Sequence, residues 1–173
     1  MSSQQLIDEF RRVRLLASAS EELLSELARI SHIRDVAAQT TVFRHGEPAR
    51  TVFLLREGQV LIEICAAGVG CRQVATIGPG ELLGWSPVLA SGAYTTTART
   101  GTPSSLIELD GSELNRVFAQ RPELGYEFMK HLALAMAKRL NATRLQLLNV
   151  YGTDSESVAE PMPGSATQKA ATS

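Results

Sequence analysis

Cysteine is nearly absent from this chain, with only Cys65 and Cys71 in 173 residues. Two are too few for a disulfide framework, and none is needed: a domain of about 150 residues buries roughly 70% of the surface its unfolded chain exposes. The pair flanks a glycine-rich turn and could meet across a hairpin, but reduced, partly buried thiols are the expectation. Long apolar runs are missing too. None approaches the ~20 residues of a membrane span, and residues 1–14 mix acids with bases where a signal peptide needs an uncharged core. Net charge is −1, which offers no excess of either sign to nucleic acid or a membrane surface. These absences predict a cytoplasmic protein without membrane contact. The chain also has no Ser/His/Asp order, no metal-ligand spacing, no N-terminal cysteine cluster and no phosphate loop with lysine. No catalytic residue, metal or cofactor is therefore expected. His45 falls in a turn, and His32 and His131 are expected on helices in surface or capping roles.

What is present changes period twice. Residues 4–17 carry Leu6, Phe10, Val13 and Leu16 at helical spacing. Ser20 then caps a second helix whose acids, Glu21 and Glu22, suit its positive end. From Ile33 short β-rich runs follow, bounded by glycine: 41–43, 51–55, 60–64, a hairpin return over 72–77, 95–100 and 105–109. Strands every 8–12 residues or so with turn signals between them indicate an antiparallel sandwich or barrel. Gly78 and Gly80, on either side of Pro79, are expected to supply positive φ. Helical spacing returns at 112–120. Pro122 then suits the first turn of a long helix reaching about residue 150. Beyond it the composition turns to Ser, Ala, Thr, Gly and Pro, so residues 1–150 read as one domain and 151–173 as a disordered tail.

Four motifs give this order a precedent. Phe43-Arg44-His45-Gly46-Glu47-Pro48-Ala49 resembles the entry to a cyclic-nucleotide-binding roll, and Gly58-Gln59-Val60 resembles its next turn. Ile77-Gly78-Pro79-Gly80-Glu81-Leu82-Leu83-Gly84 is similar to the lead into a phosphate-binding cassette. Arg121-Pro122-Glu123-Leu124 is similar to the opening of that family's C-helix. Four such motifs in order over residues 5–150 resemble the cyclic-nucleotide-binding domain of the catabolite-activator type. The resemblance implies a mainly β fold with flanking helices: a double-stranded, jelly-roll-like β-roll with N-terminal helices and a long C-terminal helix.

The departures from the family pattern fall on the site. Where the resemblance implies a ribose-binding Glu directly after Gly84, the chain has Trp85. Where it implies an Arg for the cyclic phosphate, the chain has Tyr94-Thr95-Thr96-Thr97, with Ala93 the alternative register. No Arg or Lys occurs between Arg72 and Arg99, so a buried phosphate would lack its cation in any register. High-affinity cyclic AMP binding is not expected. Ser86-Pro87 reads as a cap opening a short helix to Ala90, whose N–H groups, with Thr95 and Thr96 hydroxyls, could hold an anion; the alternative is a purely structural cap. Trp85 and Tyr94 have two readings as well, lining a pocket or filling the old cavity.

On the long helix, Met129, Ala133, Met136, Leu140, Thr143, Leu147 and Val150 follow an a/d stripe, the pattern of a coiled-coil seam. The most apolar part of that stripe puts Met136, Leu140 and Leu147 at a dimer interface; the resemblance likewise implies a homodimer through this helix, with Thr143 at the base-contacting position. Leu124, Phe128 and Leu132 are left to pack on the roll. The polar tail lacks the recognition helix of a DNA-binding domain, so direct DNA binding is not expected. The leading expectation is a non-enzymatic sensor or interaction module with a degenerate pocket for a small ligand or protein partner. The alternatives are a genuine cyclic-nucleotide receptor domain and a regulatory subunit of an enzyme encoded elsewhere.

Overall fold

The computed structural model describes residues 3–152 apart from 67, 69 and 90, and beyond residue 145 it describes only the side chain of Leu148. The chain divides into two units, one ending at Lys138 and one starting at Arg139.

The first unit opens with α1 (Ser3–Arg12) and α2 (Glu21–Arg29). Eight strands follow: β1 (Ser31–Val36), β2 (Thr41–Phe43), β3 (Thr51–Glu57), β4 (Val60–Ala66), β5 (Gly70–Ile77), β6 (Leu82–Leu83), β7 (Thr97–Thr100) and β8 (Ser104–Asp110). Two helices close the described chain, α3 (Gly111–Gln120) and α4 (Pro122–Gly152). The strands form two antiparallel four-stranded sheets, ordered β1-β8-β3-β6 and β2-β7-β4-β5. The expected mainly β roll with flanking helices is the fold found.

Alternation along β3 explains how the core is divided. Val52 and Leu54 join one cluster with Leu82, Ile107 and Leu109, against Phe10, Leu16, Leu23, Leu27, Leu114 and Phe128 of the helical segments. Phe53 and Leu55 point the other way, joining Leu83 and Leu106 with Phe43, Val60, Ile62, Ile77 and Ala98 of the second sheet. The first sheet is thus covered on both faces, and β8 is buried from Ser104 to Glu108 and at Leu109, with only its last residue exposed. The second sheet covers only its inner face. As expected, Leu124, Phe128 and Leu132 are buried on the helical side of the roll.

Caps join the helices. Ser20 accepts from Leu23 N–H as N-cap of α2. Its own N–H and hydroxyl donate to the two carboxylate oxygens of Glu127 on α4, at 2.6 and 2.7 Å. Asp110 caps α3 by accepting from Ser112 N–H and Glu113 N–H, each at 2.9 Å.

Several expectations need correction. The first helix stops at Arg12 and gives way to turns through residue 18, which still bury Val13 and Leu16. Strand β1 was not anticipated as a run of its own; it carries His32, expected on a helix, into the sheet opposite Glu108. Only Gly80 of the Pro79 pair takes positive φ, +84°, and an added Cβ there would stand 3.3 Å from Arg14 N. Cys65 and Cys71 are bonded to each other, not reduced, and both are exposed because the end of the β4–β5 hairpin extends past the core. Helix α4 continues two residues past the expected domain end at 150, and the predicted tail over 153–173 lies outside the described residues.

The cassette between Gly84 and Thr97

Backbone contacts fix the approach to this segment. Glu81 folds back to accept from Gly78 N–H at 2.7 Å, and Gly80 N–H donates to Leu55 O at 2.7 Å. This sets Leu82 and Leu83 in register with Leu54 and Phe53. Gly84 then turns at φ +66° beneath three rings: an added Cβ would lie 3.0 Å from Phe53, 3.1 Å from Phe43 and 3.3 Å from Tyr94. Glycine is required here both by the left-handed backbone and by the packing.

Residues 86–89 form turns where a short helix was expected. Val88 N–H bonds to Trp85 O at 3.0 Å, and Ser91 N–H reaches Ser86 O at 3.1 Å, so the N–H groups close locally instead of converging on an anion. Proline at 87 removes one donor, and Asn115 Nδ2 donates to the Pro87 carbonyl at 3.1 Å, fastening the turn to α3. Ser86 is buried, whereas Thr95 is exposed and Thr96 half-buried, both before β7 begins at Thr97. The short helix expected over 87–90 is thus replaced by turns over the described residues 86–89.

Tyr94 is clamped as the cassette ends. Its N–H donates to Glu47 O at 3.0 Å and its carbonyl accepts from Gly46 N–H at 2.8 Å. Its ring enters the roll and stacks on Phe43, with centroids 4.0 Å apart and planes inclined by 18°; Phe43 in turn lies 5.6 Å from Phe53. The hydroxyl donates to Thr51 O at 2.8 Å and accepts from Thr51 N–H at 3.1 Å, and the residue is 6% exposed. Burial pushes the phenol above its usual range, partly opposed by backbone hydrogen bonds from Thr51 and Arg50, with Glu108 and Glu47 adding to the rise. Trp85 takes a different place: it is half-buried against the helical-side core and is not grouped with Tyr94. The turn at Gly84 explains the separation: it breaks the alternation that sends Leu83 into the roll and Leu82 toward the helices, so Trp85 does not follow Leu83 inward.

The interior also holds an acidic side chain that the sequence pattern did not single out. Glu108, 8% exposed, shares its face with Phe53 and His32 through strand register. Its Oε2 lies 2.9 Å from His32 Nε2. Its Oε1 lies 2.7 Å from Arg34 Nε with no N–H directed at it, a charge contact rather than a hydrogen bond. Strict alternation over His32-Ile33-Arg34 was the available signal for two polar groups on one strand face. Arg99, the first cation after the cassette, belongs to the opposite face, where it pairs with Glu63 and Gln39.

In the second unit, Thr143 is exposed and its hydroxyl donates to Arg139 O at 3.0 Å, one helical turn back. Leu140 is 51% exposed, and Met136 in the first unit is 38% exposed. The side chain of Leu147 lies outside the described residues.

A β-roll with a glycine-led segment between β6 and β7 and a long helix after it is the fold of cyclic-nucleotide-binding domains. The sequence model described as "Cyclic nucleotide-binding domain" matches residues 33–121, half of the chain, and the chain belongs to that family. It is 27% identical over 114 residues to a CRP-like cAMP-activated global transcriptional regulator of Mycobacterium tuberculosis, covering 66% of this chain and 49% of that one. The N-terminal domain of a transcriptional regulator from Streptomyces coelicolor superposes with a TM-score of 0.63 at 26% identity, covering 78% of this chain and 96% of that one. The regulatory subunit of a cAMP-independent protein kinase A from Trypanosoma brucei superposes at 0.65 with 15% identity, covering 83% and 51%. That structure is a triple variant, one substitution of which introduces an arginine, bound to cAMP in its A site. The chain spans 35%, 22% and 49% of the lengths of the first curated relatives it matches.

Proposed function

We propose that this chain is a non-enzymatic regulatory module whose roll has exchanged nucleotide binding for a filled interior. The observation that carries the reading is the Tyr94 side chain. By resemblance to the family it takes the place of the phosphate-binding arginine, with Ala93 the alternative register; its ring stacks on Phe43 and its hydroxyl closes on the Thr51 backbone. A cyclic phosphate entering there would have to displace a buried ring, and no cation of the cassette would compensate its desolvation. Arg34, on the interior face, is already paired with Glu108.

On this reading the output is carried by contacts of the domain surface, with a cytoplasmic homodimer formed along α4 by Met136, Leu140 and Leu147. A protein partner or a ligand other than a cyclic nucleotide supplies the signal. Thermal melting with cyclic AMP and with cyclic GMP tests it. A ligand at ~100 times its dissociation constant adds about 2.7 kcal/mol, or several degrees for a domain of this size. At roughly 100 µM of either nucleotide the melting temperature should stay unchanged. A clear rise would restore the genuine receptor reading, which family membership supports.

A further inference from the structure

We propose that Cys65 and Cys71 are a redox-modifiable pair that sets the order of the end of the β4–β5 hairpin while leaving the roll intact. The two residues are directly opposite in the strand register and joined by a disulfide across a sequence separation of 6. Both are exposed, and neither belongs to either core cluster. Thiol reagents can therefore reach the bond, and breaking it removes no core contact. A register shift between Ile62 and Glu63 divides the hairpin. Below it, Val60, Ile62 and Ile77 are buried in the roll. Val74, passed over at the shift, is 40% exposed; above it Ile64 is 51% exposed, and β5 is the edge of its sheet. The outer rungs are thus held by one ladder and the disulfide.

Exchange with a small thiol such as glutathione proceeds in two steps. Its thiolate attacks one protein sulfur, the S–S bond breaks, and the other sulfur leaves as a thiolate that takes up a proton. A second thiolate attacks the mixed disulfide and releases the oxidised small disulfide. The protein gains two electrons and two protons, and the small thiols lose the same number. Disulfides of reducing compartments are usually of this transient kind. In the oxidised form the hairpin presents Ile64 and Val74 on stapled strands. In the dithiol form the same rungs rest on backbone hydrogen bonds at a sheet edge and open more often.

The full chain is equilibrated in mixtures of reduced and oxidised glutathione, trapped by alkylation and weighed intact, and both forms are then compared by amide hydrogen exchange. The pair should shift reversibly between no label and two labels without denaturant, across the glutathione ratios of cells. Exchange over residues 70–74 should rise about tenfold in the reduced form, while the amides of β3 and β8 stay unchanged. The double variant Cys65→Ser, Cys71→Ser should match the reduced form. A pair left unlabelled in the most reducing mixture is a fixed staple and overturns the proposal. So does a pair fully labelled in the most oxidising mixture, or identical exchange over residues 70–74 in both states.

Discussion

Tyr94→Phe isolates the hydroxyl on which the filled interior closes. The substitution keeps the ring stacked on Phe43 and deletes the oxygen that donates to Thr51 O at 2.8 Å and accepts from Thr51 N–H at 3.1 Å. Both Thr51 groups then lose their partner beside a residue that is only 6% exposed. Leaving a buried polar group unpaired costs about 1–3 kcal/mol, whereas the ring itself would cost about 3–5 kcal/mol if truncated to alanine. At roughly 2–4 °C per kcal/mol for a chain of this size, a loss of about 2–12 °C is expected for phenylalanine. The pH dependence adds a second signature. Burial raises the folded-state pKa of Tyr94 above its unfolded value, so the folded protein holds a proton that the unfolded chain releases first. The associated stability is fully present below the unfolded pKa and is lost as pH rises through the folded one. Calorimetric melts of both proteins from neutral pH to about pH 11 should show a steeper alkaline loss in the wild type. Equal melting temperatures with equal alkaline slopes would refute the hydroxyl's role and weaken the case for a closed interior.

Two further outcomes are expected. Asp110→Ala removes the N-cap of α3 and should lower stability by about 1 kcal/mol. The hydrogen bond from the Ser112 side chain, then that from Glu113 N–H, depresses the Asp110 pKa, so this stability exists above the unfolded value and disappears as pH falls through the folded one. Wild type and variant should therefore converge on acidification, and a constant gap in urea midpoints down to about pH 2 would contradict the assignment. Leu140→Asp should convert a dimer to a monomer in analytical ultracentrifugation with the roll still folded by circular dichroism, because each carboxylate would meet its symmetry mate. A wild type that sediments as a monomer at high concentration would rule out the seam.

The sequence by itself determined the class of fold, because strand length, glycine punctuation and helical spacing are local properties that survive without tertiary context. The same locality made the cap at Ser20, the helix start at Pro122 and the burial of Leu124, Phe128 and Leu132 readable in advance. The substitutions at Trp85 and Tyr94 were visible too, along with the absence of cations between Arg72 and Arg99. Only the tertiary structure separated the two aromatics, because the face a side chain takes depends on its strand's register, and the turn after Gly84 resets that register. Tyr94 enters the roll and Trp85 meets the helices. The burial of Glu108 was equally nonlocal: its neighbours His32 and Arg34 lie more than seventy residues away along the chain and arrive through the pairing of β1 with β8. The disulfide followed the same logic. Spacing allowed Cys65 and Cys71 to meet, but the shift between Ile62 and Glu63 decided which residues of the hairpin stand opposite, and it set the two sulfurs face to face.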